Sequence, residues 1–285
     1  MNTVCMQCYF GKHWKWALSY GDEKTATAFS KALMQEFLAQ PDTVDSAYMG
    51  SVASKLSYKF FGKDPGFRKE EKEMSNRFVM ERLDMIRQMI DSAADPLFAA
   101  VQFAVLGNYL DFHALQDRLS FDELEQMLRS ALEIDLDKDC YASLKKDLQT
   151  ANRLLYLTDN AGEIVFDRLL AEQVQKLYPQ VKITFCVRGG IIVNDATRED
   201  AEAIGLPFDL IDSGVAIGGT HVDLISHEAK SHMDAADVII AKGMGNTESM
   251  LGCGYNVYYA FLVKCPRFVE YFNKPMMTPM LLKEK

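Results

Sequence analysis

The sequence predicts an α/β protein, with a helical N-terminal domain followed by a three-layer α/β/α domain whose sheet is mostly parallel. Apolar residues recur at helical spacing from residue 1 to about 150. After residue 150, short apolar runs alternate with helical stretches. Strands that alternate with helices form parallel sheets with helices on their faces. We therefore expect a helical domain at 1–150 and an α/β/α domain at 151–285.

Start and stop signals delimit the helices of the first half. Asp22 can cap a helix that ends before Pro41, and Pro96 can begin one that ends at Gly107. Ser120 and Glu123 have the spacing of a capping box before a further apolar pattern. Other patterns of helical period run through 44–61, 67–90 and 139–150.

Short apolar or β-branched runs indicate the strands of the second half. They lie at 154–157, 182–187, 191–193, 208–211, 238–241 and 256–262. Helical stretches separate several of them, at 163–177, 198–204, 223–234 and 246–252. In open parallel sheets, ligands bind at the carboxyl ends of strands. The turns that follow these runs are therefore the places to search for a site.

Composition limits the partners and the location of the protein. The chain is 48% hydrophobic and 25% charged, and its net charge is −9. Nucleic acid and anionic membranes require a basic surface, so neither is an expected partner. No apolar run has the length of a membrane span, and the N-terminus lacks the pattern of a secretory signal. We expect a cytoplasmic protein, and the sequence predicts no oligomeric state.

The first polar turn, Asp159-Asn160-Ala161-Gly162-Glu163, follows the run at 154–157. The adjacent side chains of Asp159 and Asn160 carry oxygen atoms suited to a metal or phosphate site. Asn160 and Glu163 also have capping-box spacing, which would give both a structural role and leave Asp159 without one. From the residues alone, the two interpretations have equal weight.

A second turn contains Asn194 and Asp195, after Arg188 and two glycines. Asp195 or Thr197 could be only the cap of the next helix. A second carboxylate after a strand of the same sheet nevertheless completes a set of oxygen ligands. Such a set favours Mg²⁺ or Mn²⁺ over a metal bound by thiolates.

A third turn contains Lys242, Gly243, Gly245 and Asn246 after the run at 238–241. Glycines let backbone N–H groups approach an anion closely, and lysine supplies a positive charge. The structural alternative is an ordinary glycine turn beside an exposed lysine. The position of this turn at the end of another strand favours a site.

Two weaker signals lie outside the predicted sheet. Asn108 and Asp111 follow Gly107 and either line a pocket or only terminate a helix. Cys5 and Cys8 form a CxxC pair, but no second pair is present to complete a structural zinc site. Two buried thiols are the simpler interpretation of that pair, although a metal site stays open.

Taken together, these stretches resemble the damage-control phosphatase family, which also includes a protein described as an acidic-residue methyltransferase. The similar motifs are GNYLDF (107–112), TDNAGE (158–163), RGGIIVNDAT (188–197) and AKGMGNTE (241–248). Lys264-Cys265 is similar to the late strand of the family, and Cys5 and Cys8 are similar to the CxxC of its prokaryotic branch. One departure is Gly218, where the family often has proline.

The resemblance implies a metal-dependent hydrolase that acts on small phosphate monoesters, such as sugar phosphates or damaged phosphometabolites. The cofactor would be Mn²⁺, Ni²⁺, Co²⁺ or Mg²⁺, with Asp159, Asn160 and Asp195 as its ligands. The same resemblance implies the remaining roles. The catalytic residues would be Asp159, Asn160, Glu163, Asp195 and Lys242. The substrate would contact Asn108, Asp111, Arg188, Asn194, Gly243 and Asn246.

Two other functions stay open at this level. One is methyl transfer from S-adenosylmethionine to a carboxylate, although the TDNAGE turn has a single glycine where such enzymes have a glycine-rich turn. The other is a non-catalytic module that binds a metal or a nucleotide. Within the phosphatase hypothesis, Asp159 is either a nucleophile or only a ligand. Ala161 weakens the first role, because the usual aspartyl-phosphate pattern has a second aspartate there.

Overall fold

Helices fill the first part of the chain. The computed structural model describes residues 1–62, 69–110 and 126–284. Before the sheet, the helices that the structure describes along their whole length are α1 (Thr3–Tyr20), α2 (Glu23–Leu38), α3 (Ser46–Phe61), α4 (Lys69–Met80), α5 (Leu83–Asp91), α6 (Pro96–Gly107) and α7 (Lys138–Thr150). The side chain of Asp22 caps α2, and Pro96 begins α6, as the sequence predicts. The predicted capping box at Ser120 and Glu123 lies outside the described residues.

One parallel sheet occupies the second part of the chain. Its strands in the described residues are β1 (Arg153–Leu157), β2 (Lys182–Val187), β3 (Asp209–Asp212), β4 (Val238–Lys242), β5 (Val257–Leu262) and β6 (Pro279–Lys283). Their order is β3-β2-β1-β4-β5-β6, and β6 alone pairs antiparallel to its neighbour. The intervening helices are α8 (Glu163–Leu177), α9 (Arg198–Ala203), α10 (His227–Ala235), α11 (Gly243–Met250) and α12 (Pro266–Phe272). The predicted fold class is confirmed.

Two details of the sheet differ from the sequence-based expectation. The run at 191–193 is not a strand but part of a loop, in which Val193 has a φ of 45°. Packing accounts for Ile192, which is buried, whereas Ile191 is 50% exposed. The edge strand β6 was not predicted from the sequence, because it begins at a proline and pairs along a single edge.

Alternate residues of each strand face opposite helical layers. Tyr156, Phe185 and Ile240 belong to a core that also includes residues of α4 to α9. Leu155 and Ile239 face the core formed with α10 to α12. A separate core holds α1 to α3 together. The helices of the first half are thus shared between the sheet and this bundle, and the domain boundary at residue 150 stays a prediction.

The α1–α3 bundle lies next to the helices that follow β4 and β5. Helix α3 contacts α11, and α1 contacts α12. Because α11 and α12 begin at the carboxyl ends of their strands, the bundle faces the edge of the sheet where ligands bind. Among the described residues, no helix has both the length and the apolar composition of a membrane span.

Candidate active site

The candidate site lies at the switch point of the sheet. Strands β1 and β4 are neighbours, and the chain proceeds from β1 toward β2 and β3 but from β4 toward β5. At such a point the turns that follow the two central strands diverge and leave a crevice. The three polar turns predicted from the sequence follow β1, β2 and β4, so all of them meet at this crevice.

Backbone hydrogen bonds bring the turns after β1 and β2 together. Asn160 and Asp195 form an isolated antiparallel bridge. The Ala161 N–H donates to the Asn194 carbonyl at 2.9 Å, and the Ala196 N–H donates to the Asp159 carbonyl at 2.7 Å. The three predicted metal ligands, Asp159, Asn160 and Asp195, are therefore adjacent. Asn194 contributes its backbone carbonyl to this hydrogen bond.

The helix-cap interpretation is confirmed for Thr197 and wrong for Asn160 and Asp195, neither of which is the N-cap of a helix. Helix α8 begins after Gly162, whose φ is 79°, and no side chain caps it. Glycine is required there because an added Cβ would lie 2.8 Å from the Ser75 Cβ. The capping box at α9 consists of Thr197 and Asp200. The N-cap positions of α8 and α9 therefore belong to Gly162 and Thr197.

A buried polar network holds the Asp159 carboxylate. The Asn108 Nδ2 donates to Asp159 Oδ2 at 3.1 Å and to Glu163 Oε2 at 3.0 Å. The Asn160 Nδ2 donates to the same two oxygens at 2.8 and 3.1 Å. The end of α6 therefore reaches the site through Asn108, which is also the C-cap of that helix, and contact of Asn108 with substrate stays a prediction. Asp111, its predicted companion, lies outside the described residues.

Arg188 joins the second and third turns. Its Nε donates to Asp195 Oδ2 at 2.6 Å, and its Nη2 donates to Asn246 Oδ1 at 3.1 Å. The same Nη2 lies 4.0 Å from Asp159 Oδ1. The Asn246 amide in turn donates to the carbonyls of Thr158 and Lys242. Arg188 and Asn246 thus fix the carboxylates in place, with the guanidinium 2% exposed.

Lys242 lies beneath the site, whereas the sequence-based hypothesis has it facing the metal ligands. Its ammonium is fully buried and donates to the Ala104 carbonyl at 2.6 Å and to Glu163 Oε1 and Asp167 Oδ1 at 2.7 Å each. Glu163 therefore separates it from the amides of Asn108 and Asn160. Burial alone would lower the pKa of Lys242, but the carboxylates of Asp167 and Glu163 raise it above its ordinary value.

Lys264, like Arg188, carries a positive charge near Asp159, but it is not among the site residues predicted from the sequence. Burial and the neighbouring Glu163 and Asp195 raise the pKa of Asp159 well above its ordinary value, against the opposing charges of Arg188 and Lys264. Lys264 follows β5 at the same edge of the sheet. Its position after a strand could have indicated a site residue, but the sequence pointed to Lys264-Cys265 only by similarity to the family.

Gly243 brings the start of α11 against Asp159. Its φ is 76°, and a Cβ added to it would lie only 1.9 Å from Asp159 Oδ2. Only glycine permits this approach, both sterically and by backbone conformation. A helix N-terminus carries a partial positive charge, so α11 stabilises negative charge at this point.

The donor atoms fit a hard divalent cation. Within the described residues, no group of three or more His, Cys, Asp or Glu side chains is placed to hold a metal. Asp159, Asn160 and Asp195 offer two carboxylates and one amide. Mg²⁺-type ions are usually bound by one or two carboxylates, with water and substrate phosphate completing the shell. The excess of buried negative charge around Asp159 is what a bound cation would offset.

A cavity of about 490 Å³ opens at Asp195 and extends to the α1–α3 bundle. The comparison with protein families then decides what kind of protein carries this site. A family model described as "Damage-control phosphatase ARMT1-like domain" matches residues 3–278. The chain belongs to the damage-control phosphatase family. The resemblance noted in the sequence is thereby confirmed.

This protein of the damage-control phosphatase family is similar in sequence to its relatives over most of their length. It is 31% identical to "Damage-control phosphatase PH1575" of Pyrococcus horikoshii, over 84% of this chain and 82% of that protein. It is 25% identical to "Damage-control phosphatase" of Archaeoglobus fulgidus, over 88% of this chain and 87% of that protein. The crystal structure of a DUF89 family protein (PH1575) from P. horikoshii matches with a TM-score of 0.82, over 100% of this chain and 99% of that one, at 25% identity. These comparisons support the predicted phosphatase at the level of the family.

Proposed function

We propose that this protein hydrolyses small phosphate monoesters with the help of a divalent cation held by Asp159, Asn160 and Asp195. The convergence of these side chains at the switch point, with a cavity opening at Asp195, carries the proposal. Membership in a phosphatase family supports the reaction class. Mn²⁺, Ni²⁺, Co²⁺ and Mg²⁺ all accept such oxygen ligands, and the choice among them stays open.

When bound, the cation supplies charge withdrawal and a fixed orientation for the phosphoryl group. The residues of the chain do the rest. In this proposal, the charge of Lys264 and the N-terminus of α11 would stabilise the negative charge that develops on the equatorial oxygens. Arg188 keeps Asp195 in position because its guanidinium donates hydrogen bonds to Asp195 and Asn246. Its positive charge also lies 4.0 Å from Asp159 Oδ1.

Glu163 and Lys242 have a positioning role in this proposal. Glu163 accepts hydrogen bonds from the amides of Asn108 and Asn160, which in turn donate to Asp159. Lys242 neutralises Glu163 from below without reaching the cavity. The pair thus keeps the amide hydrogens directed toward Asp159, and the Lys242 ammonium is not assigned to the phosphate.

The test is metal-dependent release of phosphate from 4-nitrophenyl phosphate. We expect turnover with at least one of the four cations, loss of turnover with a chelator, and loss in Asp159→Ala. Asp84→Ala is the matched control, because that carboxylate lies fully exposed on α5. Absence of release with every cation, or full activity in Asp159→Ala, would refute the proposal.

Methyl transfer is not favoured by the observed site. The turn after β1 places Asp159 and Asn160 in the crevice and has Gly162 at the start of α8 rather than a glycine-rich loop. Titration calorimetry with S-adenosylmethionine separates the two functions, since the phosphatase proposal predicts no binding. A cytoplasmic location and sugar phosphates as substrates stay predictions from the sequence.

A further inference from the structure

The cavity that opens at Asp195 is larger than a phosphate group requires. Its volume is about 490 Å³, within the range of pockets that hold drug-sized ligands. The proposed function places the phosphate at the Asp195 end, and this inference rests on that function. The remainder of the cavity, toward α1 and α3, must then hold the alcohol part of the ester.

Apolar side chains form most of the wall around that remainder. Helix α1 contributes Val4, Tyr9 and Trp16, and the α/β part contributes Ile192, Val193 and Met244. The Tyr9 hydroxyl is already used, because it donates to the Met49 carbonyl at 2.7 Å. These surfaces gain stability by contact with apolar ligand atoms and offer little to a hydroxyl group.

The charged residues of this wall are paired or lie at its rim. Glu248 accepts from Ser46 Oγ and from Arg267 Nη1, both at 2.6 Å. Burial and the charge of Lys12 lower the pKa of His13 to about 4, so this ring is neutral at neutral pH. The Lys12 side chain itself is exposed. The described part of the wall therefore offers no buried cation that could bind a second anionic group of the ligand.

We propose that this cavity selects phosphate monoesters whose alcohol is bulky, uncharged and largely apolar, such as one that carries an aromatic ring system. A sugar would place several hydroxyl groups against apolar side chains and lose their hydrogen bonds to water. The proposal thus narrows the substrate class expected from the sequence, which included sugar phosphates.

Gly50 is a position at which an added side chain can reduce the room for this alcohol. It lies in α3 and lines the cavity. A Cβ added at Gly50 would meet no atom within 4 Å, so a larger side chain enters open space without a clash. Leucine also favours a helix more than glycine does, and Gly50→Leu should fold. We expect the variant to reduce the volume of the cavity beside α3 while the proposed metal ligands stay unchanged.

Gly11 provides the matched control. It lies inside α1, and a Cβ added there also meets no atom within 4 Å. Gly11 is not among the residues that line the cavity. Gly11→Leu therefore makes the same chemical change in a helix without filling the pocket.

The experiment compares 2-(2-naphthyl)ethyl phosphate with glucose 6-phosphate in the presence of Mn²⁺. Both are esters of a primary alcohol, so their intrinsic reactivities are similar. We expect kcat/KM of the wild type to be at least ~10-fold higher for the naphthyl ester. Gly50→Leu should remove this preference by lowering kcat/KM for the naphthyl ester. Gly11→Leu should retain the preference of the wild type.

Binding of the non-hydrolysable 2-(2-naphthyl)ethylphosphonate, measured by calorimetry, tests the cavity independently of turnover. The wild type and Gly11→Leu should bind it at least ~10-fold more tightly than Gly50→Leu does. Equal affinity in all three proteins, equal use of both esters, or a preference for the sugar phosphate would overturn the inference. Selective binding without turnover by any metal-loaded form would instead refute the proposed phosphatase function and leave the cavity assignment standing.

Discussion

Replacing Gly243 by alanine should remove activity while the protein stays folded. The added Cβ would lie 1.9 Å from Asp159 Oδ2, whereas contacts of real Cβ atoms essentially never fall below 3.0 Å. The carboxylate must therefore retreat by about 1 Å. That movement breaks its hydrogen bonds to Asn108 and Asn160, which measure 3.1 and 2.8 Å.

The functional cost follows from the displacement of a single carboxylate. A misplacement of about 1 Å in an active site can cost on the order of 100-fold in rate. We expect kcat to fall by about that factor. The stability cost combines backbone strain with the loss of the hydrogen bonds from Asn108 and Asn160. A non-glycine residue in the left-handed region costs roughly 1–2 kcal/mol, and the φ of Gly243 is 76°.

Gly252→Ala separates the two effects. Gly252 has a φ of 83°, but a Cβ added there meets no atom within 4 Å. The control should lose only the part of the free energy of unfolding in urea that backbone strain causes, while its phosphate release stays at the wild-type level. Wild-type kcat in Gly243→Ala, or an equal loss of activity in Gly252→Ala, would refute the reasoning.

Three further substitutions test the site, and Lys283→Met is the control for one of them, Lys242→Met. Asp159→Asn keeps the shape of the side chain but removes its charge, and it should abolish metal-dependent phosphate release in a steady-state assay. Lys242→Met leaves Glu163 without its buried cation and should lower the free energy of urea unfolding by about 3–5 kcal/mol. Lys283→Met, which removes an ammonium 31% exposed, should cost less than about 1 kcal/mol. Lys264→Gln should raise KM for 4-nitrophenyl phosphate at nearly unchanged stability, and an unchanged KM would exclude contact with the phosphate.

The sequence predicted the sheet well because buried parallel strands are short, continuous apolar runs. The runs at 154–157, 182–187 and 238–241 all correspond to strands within one residue at each end. The run at 191–193 has the same composition, yet it packs as a loop. Composition reports burial, and burial does not distinguish a strand from a loop that closes over a site.

The site was predictable as far as it depends on the ends of strands. Asp159 and Asn160 follow β1 directly at the switch point, whereas Asp195 lies at the end of the loop after β2 and is brought to them by the bridge between Asn160 and Asp195. The role of Lys242 could not be predicted in this way. It is the last residue of β4, and whether its side chain enters the cavity or turns inward depends on Asp167 and the Ala104 carbonyl, which other elements supply.

Hydrogen bonds between residues that lie far apart in the sequence could not be predicted either. Asn108 reaches Glu163 only because α6 packs on α8. Gly107 permits this contact, since a Cβ there would lie 2.9 Å from the Phe166 ring. The sequence marked Gly107 and Asn108 as either a helix end or a pocket, and in the structure Asn108 follows the end of α6 and also contacts Asp159.

A crystal grown with Mn²⁺ and measured at the manganese absorption edge tests the central claim most directly. The account predicts an anomalous peak in contact with oxygen atoms of Asp159, Asn160 and Asp195, at roughly 2.0–2.3 Å from each. The same crystal of Asp159→Ala should lose the peak. A peak elsewhere in the wild type, for example at Cys5 and Cys8, with none at these ligands would contradict the account.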